Sequence, residues 1–147
     1  LSSLGMDKKQ FMSQDIRHLV LQKDKIITMH PDWTLERALI KLIRSGYTSV
    51  PVINSQNQVE GLISKTLILD FMTENQNINY NDLPNYFVHQ AMNRNYMGIW
   101  ENTPLSFALE LMIDRSYVPI IDKTNTFIGI LTRQAVLQKI LTYLSEG

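Results

Sequence analysis

The 147-residue chain contains no cysteine. That excludes disulfides, thiolate metal sites and a cysteine nucleophile together, and it fits a protein of the reducing cytoplasm. Net charge is also missing: 14 Lys and Arg stand against 14 Asp and Glu, and the pI is near 7.0. Nothing in that balance advertises nucleic acid or an acidic membrane surface, so any bound anion must be met by a local cluster of cations. No apolar run approaches the roughly 20 residues needed to cross a bilayer, and the N-terminus does not read as a signal peptide. No nucleic acid and no membrane are therefore expected as partners. His18, His30 and His89 share no helix face, and no His/Asp/Glu set has tight ligand spacing, so no metal is expected either. The chain also lacks a nucleophilic serine elbow, a phosphate-binding Gly-rich loop and an identifiable pair of carboxylates. It reads as a protein that is not an enzyme and needs no cofactor.

Glycine (6) and proline (5) are scarce, so their recurrence at matched positions carries weight. The stretch Gly46-Tyr47-Thr48-Ser49-Val50-Pro51-Val52-Ile53, followed by Gly61-Leu62-Ile63-Ser64-Lys65, returns as Tyr117-Val118-Pro119-Ile120-Ile121 followed by Gly129-Ile130-Leu131-Thr132-Arg133. Upstream, Leu35, Ala38, Leu39 and Ile43 recur 70 residues on, as Leu105, Ala108, Leu109 and Ile113; downstream, the offset from Pro51 to Pro119 is 68. Two residues are missing from the second copy, where the first carries Thr48 and Ser49. A repeat of this length governs how every motif is interpreted.

Periodicity gives each copy the order strand, helix, strand, strand, helix, an α/β pattern. In the first copy these are Lys25 to Met29, a helix from Leu35 capped by Asp32 or Thr34 and stopped by Gly46, Val50 to Ile53, Val59 to Ile63, and Lys65 to Met72. In the second they are Tyr96 to Trp100, Pro104 to Arg115, Val118 to Asp122, Phe127 to Leu131, and Arg133 to about Leu144. A helix over Lys8 to Gln22 precedes the first copy. The domains expected are residues 1–24 as an N-terminal segment with a short helix, 25–73 as copy one, 74–94 as an Asn-rich linker with a short helix from Leu83 to Met92, and 95–147 as copy two with a C-terminal helix. Neither half closes a comfortable core alone. The two sheets are expected to pack on each other about a pseudo-two-fold axis, leaving clefts at the junction, where ligand sites are common.

With the Gly-Tyr-x-x-x-Pro-Val segment, the Gly-hydrophobic-hydrophobic-Ser/Thr turn and the tandem copy in view, the chain resembles a stand-alone pair of cystathionine-β-synthase (CBS) domains. More narrowly it is similar to the small bacterial CBS proteins that bind cyclic di-AMP. The resemblance implies a tandem βαββα pair acting as a regulatory nucleotide sensor, a homodimer, and control of a target enzyme through ligand-dependent interaction. It places one cleft at Lys25, Ile27, Tyr47, Thr48, Ser49 and Pro51 facing Thr132 and Arg133. There Ile27 and Pro51 sandwich a purine, Thr132 offers a hydroxyl, and Arg133 and Lys25 meet phosphate. A second cleft is Tyr96, Gly98, Tyr117, Val118 and Pro119 facing Ser64 and Lys65; the two-residue deletion falls in its wall, so the first is expected to be the occupied one.

One departure from the family separates ligands. Many members that bind AMP or ATP carry an aspartate three residues after the Ser/Thr to hold the ribose hydroxyls, and here Leu67 and Ala135 stand at those places. A ligand whose 3′ oxygen is already esterified needs that carboxylate less, which favours cyclic di-AMP over the alternatives, an AMP/ADP/ATP energy sensor or a ligand-free dimerisation scaffold. Without the repeat, Ile27, Tyr47 and Pro51 read as packing residues and Lys25 as a solvated lysine. Cations at both helix starts, Lys65 and Arg133, oppose the macrodipole, which favours a functional reading of that position.

Overall fold

The computed structural model describes residues 5–75 and 77–146. The chain divides into two compact units: a central one, Ile27–Tyr96, and a terminal one, formed by Leu1–Ile26 with Met97–Gly147.

In the central unit, α2 (Leu35–Ser45) starts at Thr34, whose Oγ1 accepts the Arg37 N–H at 3.2 Å, and leaves through Gly46 at φ 75°, a conformation only glycine adopts freely. Strands β2 (Ser49–Ile53) and β3 (Val59–Ser64) pair antiparallel, and α3 (Lys65–Glu74) follows directly. Leu35, Ala38, Leu39 and Leu42 of α2 are buried with Val50, Val52, Ile63 and Ile68. Of the five apolar residues that recur at helical spacing here, Leu35, Ala38, Leu39 and Leu42 meet the sheet, while Ile43 stays 59% exposed.

The terminal unit repeats the plan with α5 (Leu105–Leu111), β4 (Tyr117–Ile121), β5 (Phe127–Thr132) and α6 (Arg133–Glu146). Its core gathers Leu105, Ala108, Val118, Ile120, Leu131 and Val136. Both hairpins share two devices. Asn54 Oδ1 takes the N–H of Gln56 and Gln58, as Asp122 Oδ1 takes those of Thr124 and Thr126. Asn57 and Asn125 then supply the positive φ, 62° and 64°.

The repeat reaches further than the sequence disclosed. Asp7 and Asn79 each open a helical turn with a reciprocal capping box, closed by Gln10 and Asp82. Phe11 in α1 (Lys8–Ser13) and Leu83 in the 3₁₀ turn Tyr80–Asn85 are buried at equivalent places. The carbonyl of Gln14 takes the Leu105 N–H at 2.8 Å, and that of Tyr86 takes the Leu35 N–H at 2.9 Å. Leu21 of β1 (Leu21–Gln22) pairs with Ile130 of β5, and Asn93 pairs with Leu62 of β3. The offset is 72 residues throughout, from Asp7 to Asn79 and from Leu21 to Asn93. Each copy is therefore preceded by an equivalent segment that packs on the other copy: residues 7–22 lie on the terminal unit, and the segment around Tyr80–Asn85 and α4 (Val88–Ala91) lies on the central one. Glycine is needed where those segments cross: a Cβ on Gly61 would lie 2.6 Å from the Asn93 carbonyl oxygen, and one on Gly129 would collide with that of Leu21.

Five elements differ from expectation. The short helix foreseen from Leu83 to Met92 is split into the 3₁₀ turn Tyr80–Asn85 and α4, with Tyr86 and Phe87 extended between them. The helix foreseen over Lys8 to Gln22 ends at Ser13, since Ser13 Oγ bonds back to the Lys9 and Gln10 carbonyls and the Gln14 carbonyl and Ile16 N–H are taken by Leu105 and Thr103. The strand foreseen from Lys25 to Met29 is a 3₁₀ turn, Lys23–Lys25, followed by a single parallel bridge from Met29 to Val52. Tyr96 to Trp100 likewise reduces to the Ile99 bridge to Ile120. Pro104 stands just outside α5 in an extended conformation, and α5 stops at Leu111 rather than Arg115.

Candidate functional site

Of the residues assigned to the first cleft, Ile27, Tyr47, Thr48, Ser49 and Pro51 belong to the central unit, and Lys25, Thr132 and Arg133 to the terminal one. Gly46 turns the chain sharply out of α2 and leaves Tyr47, at 48% exposure, and Thr48 on the surface. Ser49 opens β2 opposite Ser64. Pro51 is buried, and its carbonyl accepts the Met29 N–H at 3.0 Å. It anchors the bridge that carries the preceding segment, Ile27 to Met29, to the sheet.

Ile27 is half-buried at the edge of the central core beside Trp33. It also lines a groove of about 530 Å3 whose other walls are Trp33, Ile40 and the side of α2 bearing Arg37, Lys41, Arg44 and Ser45. The Arg37 guanidinium lies over the indole of Trp33, 3.6 Å from the ring centroid. No carboxylate lines this groove. Sequence reading weighed α2 for its apolar stripe alone and missed these cations; the signal was there, three basic residues at i, i+4 and i+7 with no acidic neighbour on that stripe.

In the terminal unit, Thr132 Oγ1 accepts the Ala135 N–H at 3.1 Å, and in the central unit Ser64 Oγ accepts the Leu67 N–H at 3.1 Å. Both hydroxyls cap their helices, which fixes them at the turn while leaving each O–H as a donor. Arg133 has work that the sequence did not announce. Its Nε donates to the carbonyls of Met112, at 2.8 Å, and Arg115, at 3.0 Å, and its backbone N–H goes to Ser116 at 2.8 Å. The copy lacks a counterpart of Gly46, and the guanidinium instead satisfies the carbonyl of the α5 cap residue Met112 and that of Arg115 in the segment leading to β4. Lys25 sits exposed at the end of its 3₁₀ turn.

The residues of the second cleft are more deeply committed to structure. Val118 and Pro119 are buried, the Pro119 carbonyl taking the Ile99 N–H at 3.1 Å. Tyr117 pairs across the sheet with Thr132. Tyr96 Oη donates to the Val59 carbonyl at 3.0 Å, Gly98 lies under the side chain of Ile121, and Lys65 is half-buried at the start of α3.

A polar recess of about 340 Å3 in the central unit brings together His30, Asp32, Ser55, Glu60, His89 and Arg94. His30 Nε2 lies 3.0 Å from Ser55 Oγ, which invites comparison with a nucleophile and its base. His30 Nδ1, however, accepts the Asp32 N–H at 3.0 Å, so in the neutral ring the proton is on Nε2. The imidazole donates to the serine and cannot take its proton.

Known proteins agree with this architecture. The CBS domain family matches the chain twice, over residues 9–74 and 88–142. The chain belongs to the CBS domain family. The α/β tandem pair expected from the sequence is borne out. This CBS protein is 23% identical over 137 residues to cyclic di-AMP receptor B of Bacillus subtilis (strain 168), covering 93% of both chains. Among solved structures, the fold matches CbpB in complex with c-di-AMP at a TM-score of 0.86 with 21% identity, over 94% of this chain and 91% of that one. It matches Listeria monocytogenes CbpB in complex with c-di-AMP at 0.82 with 25% identity, over 90% and 98%. The narrower resemblance to cyclic di-AMP-binding CBS proteins thus holds in both sequence and fold.

Proposed function

We propose that this CBS protein is a non-catalytic cytoplasmic sensor of cyclic di-AMP, acting as a homodimer and regulating a target enzyme by ligand-dependent interaction. The observation that carries the reading is the extent of the match: the chain aligns over 93% of itself and 93% of a cyclic di-AMP receptor. The residues proposed to hold the nucleotide are Lys25, Ile27, Tyr47, Thr48, Ser49 and Pro51 with Thr132 and Arg133. The dinucleotide is favoured over AMP or ATP because Leu67 and Ala135 stand where a ribose-binding aspartate would be needed for a free vicinal diol.

Ligand binding moves a target only through its different affinity for the free and partner-bound states, so nucleotide and target are linked reciprocally. Self-association is supported by the apolar residues left exposed on the helices of both units, Ile43 at 59%, Leu69 at 54%, Leu141 at 59% and Leu144 at 65%, and on the turn after α5, Ile113 at 80%. Isothermal titration with cyclic di-AMP, with AMP and ATP beside it, tests the reading. Saturation near one cyclic di-AMP per chain with weak mononucleotides is expected; preference for AMP or ATP, or no heat from any of the three, would overturn it.

A further inference from the structure

We infer that the cationic stripe of α2, Arg37, Lys41 and Arg44, is part of the nucleotide site and holds a phosphodiester of the ligand in the groove beside Ile27. This rests on the proposed function and extends it to residues outside the motif that suggested it.

Three observations converge. Ile27, the residue assigned to stack against the purine, is itself a wall of the groove, and Arg44 and Ser45 immediately precede Gly46 and Tyr47 of the assigned loop. A ligand resting on Ile27 therefore has the α2 cations as neighbours. The groove, about 530 Å3, falls within the roughly 300–1,000 Å3 usual for small-molecule sites. The second observation is charge. At i, i+4 and i+7 the three cations form a stripe about 10 Å long, and none has an ion-pair partner among the described residues. Like charges at i, i+4 destabilise a helix, a cost normally relieved by an interleaved carboxylate. No carboxylate lines the groove; its walls are three cations, the apolar Ile27, Trp33 and Ile40, and the hydroxyl of Ser45.

The third observation is an internal control. In the second copy the equivalent positions of Arg37, Lys41 and Arg44 are Phe107, Leu111 and Asp114. The second copy builds the corresponding helix, α5, one turn shorter and with no cation at 107 or 111, and the Arg44 position falls beyond its end at Asp114, so packing of the shared turns does not require the cations. Cyclic di-AMP carries two phosphodiester charges, and the Arg133 Nε is already bonded to two carbonyls. A second set of cations answers the second phosphate.

The test is isothermal titration of the full chain with cyclic di-AMP, using the parent, Lys41→Gln, Arg44→Gln, the double variant and Arg44→Lys. Each single loss is expected to weaken binding about tenfold and the double variant more. Arg44→Lys should recover most of the affinity. Thermal unfolding of all variants should match the parent, because the side chains are exposed and their removal relieves repulsion. A double variant that binds as tightly as the parent overturns the inference and leaves the function standing. A parent that binds no cyclic di-AMP removes both. Weakening of the glutamine variants with equal weakening of Arg44→Lys also overturns it, since a charge contact tolerates that exchange.

Discussion

Replacing Arg133 by alanine should lower stability as well as ligand affinity, and the two losses can be separated. The guanidinium Nε bonds the Met112 and Arg115 carbonyls at 2.8 and 3.0 Å, closing the end of α5. Hydrogen bonds to a charged group contribute about 1.5–3 kcal/mol when buried. Arg133 is half-exposed and one N–H is shared between two acceptors, so about 2 kcal/mol is a reasonable sum. For a chain of this size each kcal/mol moves Tm by about 2–4 °C, which gives a drop of about 4–8 °C. Lys65 occupies the same place in the first copy with Gly46 already closing α2, and Lys65→Ala should leave Tm within about 1 °C by the same arithmetic. Arg133→Lys keeps the charge and loses the planar fork, so it should melt near the alanine variant while retaining more of the ligand affinity. Differential scanning calorimetry reads the first effect and titration with cyclic di-AMP the second. Equal melting of Arg133→Ala and the parent would refute the capping role.

Three other outcomes follow from the same geometry. Gly129→Ala drives a methyl into the Leu21 carbonyl, which is backbone and cannot swing aside, so it should cost at least about 2 kcal/mol in urea unfolding. Gly61→Ala acts in the same direction through the Asn93 carbonyl, 2.6 Å from the added Cβ. Ser64→Ala removes the α3 cap on the Leu67 N–H and should cost about 1 kcal/mol, read as faster hydrogen exchange at Leu67. His18, exposed on the surface, is held below its ordinary pKa of 6.5, first by partial desolvation and then by the nearby charge of Lys139. The unfolded chain then binds more protons than the folded one just below pH 6.5. Stability from this group is complete above pH 6.5 and falls as pH drops towards the depressed folded value; His18→Gln should flatten that part of a Tm-against-pH profile.

What the sequence disclosed was whatever local chemistry decides. Thr34 and Gly46 bound α2, and the period-2 runs at Val50 and Val59 became a hairpin, because caps, turns and alternation act over a few residues. The first strand of each copy was over-read from its local β-branched and aromatic residues, since Met29 and Ile99 each contribute only one bridge, whose partner lies some twenty residues away in the chain. The early end of α1 has the same origin: Gln14 and Ile16 bond residues Leu105 and Thr103, and no local propensity reports that. The site divides likewise. Motif residues such as Ser64 and Thr132 were legible from the repeat, whereas the capping role of Arg133 and the groove at α2 depend on which side chains the fold brings side by side.

The internal repeat is also a means of separating architecture from chemistry. Where both copies keep one device in different residues, the fold demands it: an Asx turn from Asn54 or Asp122, a positive-φ asparagine at 57 and 125, a capping box from Asp7 or Asn79, and a glycine under each crossing segment. Where one copy departs, some demand other than folding operates there. Loss of the α2-type glycine exit in the second copy is compensated by the Arg133 bonds, so that departure is structural. The cations of α2 have no such compensation: Phe107, Leu111 and Asp114 fill the same places, and no carboxylate among the described residues forms an ion pair with Arg37, Lys41 or Arg44. Three like charges kept on one helix face beside Ile27 are what an anionic ligand would require.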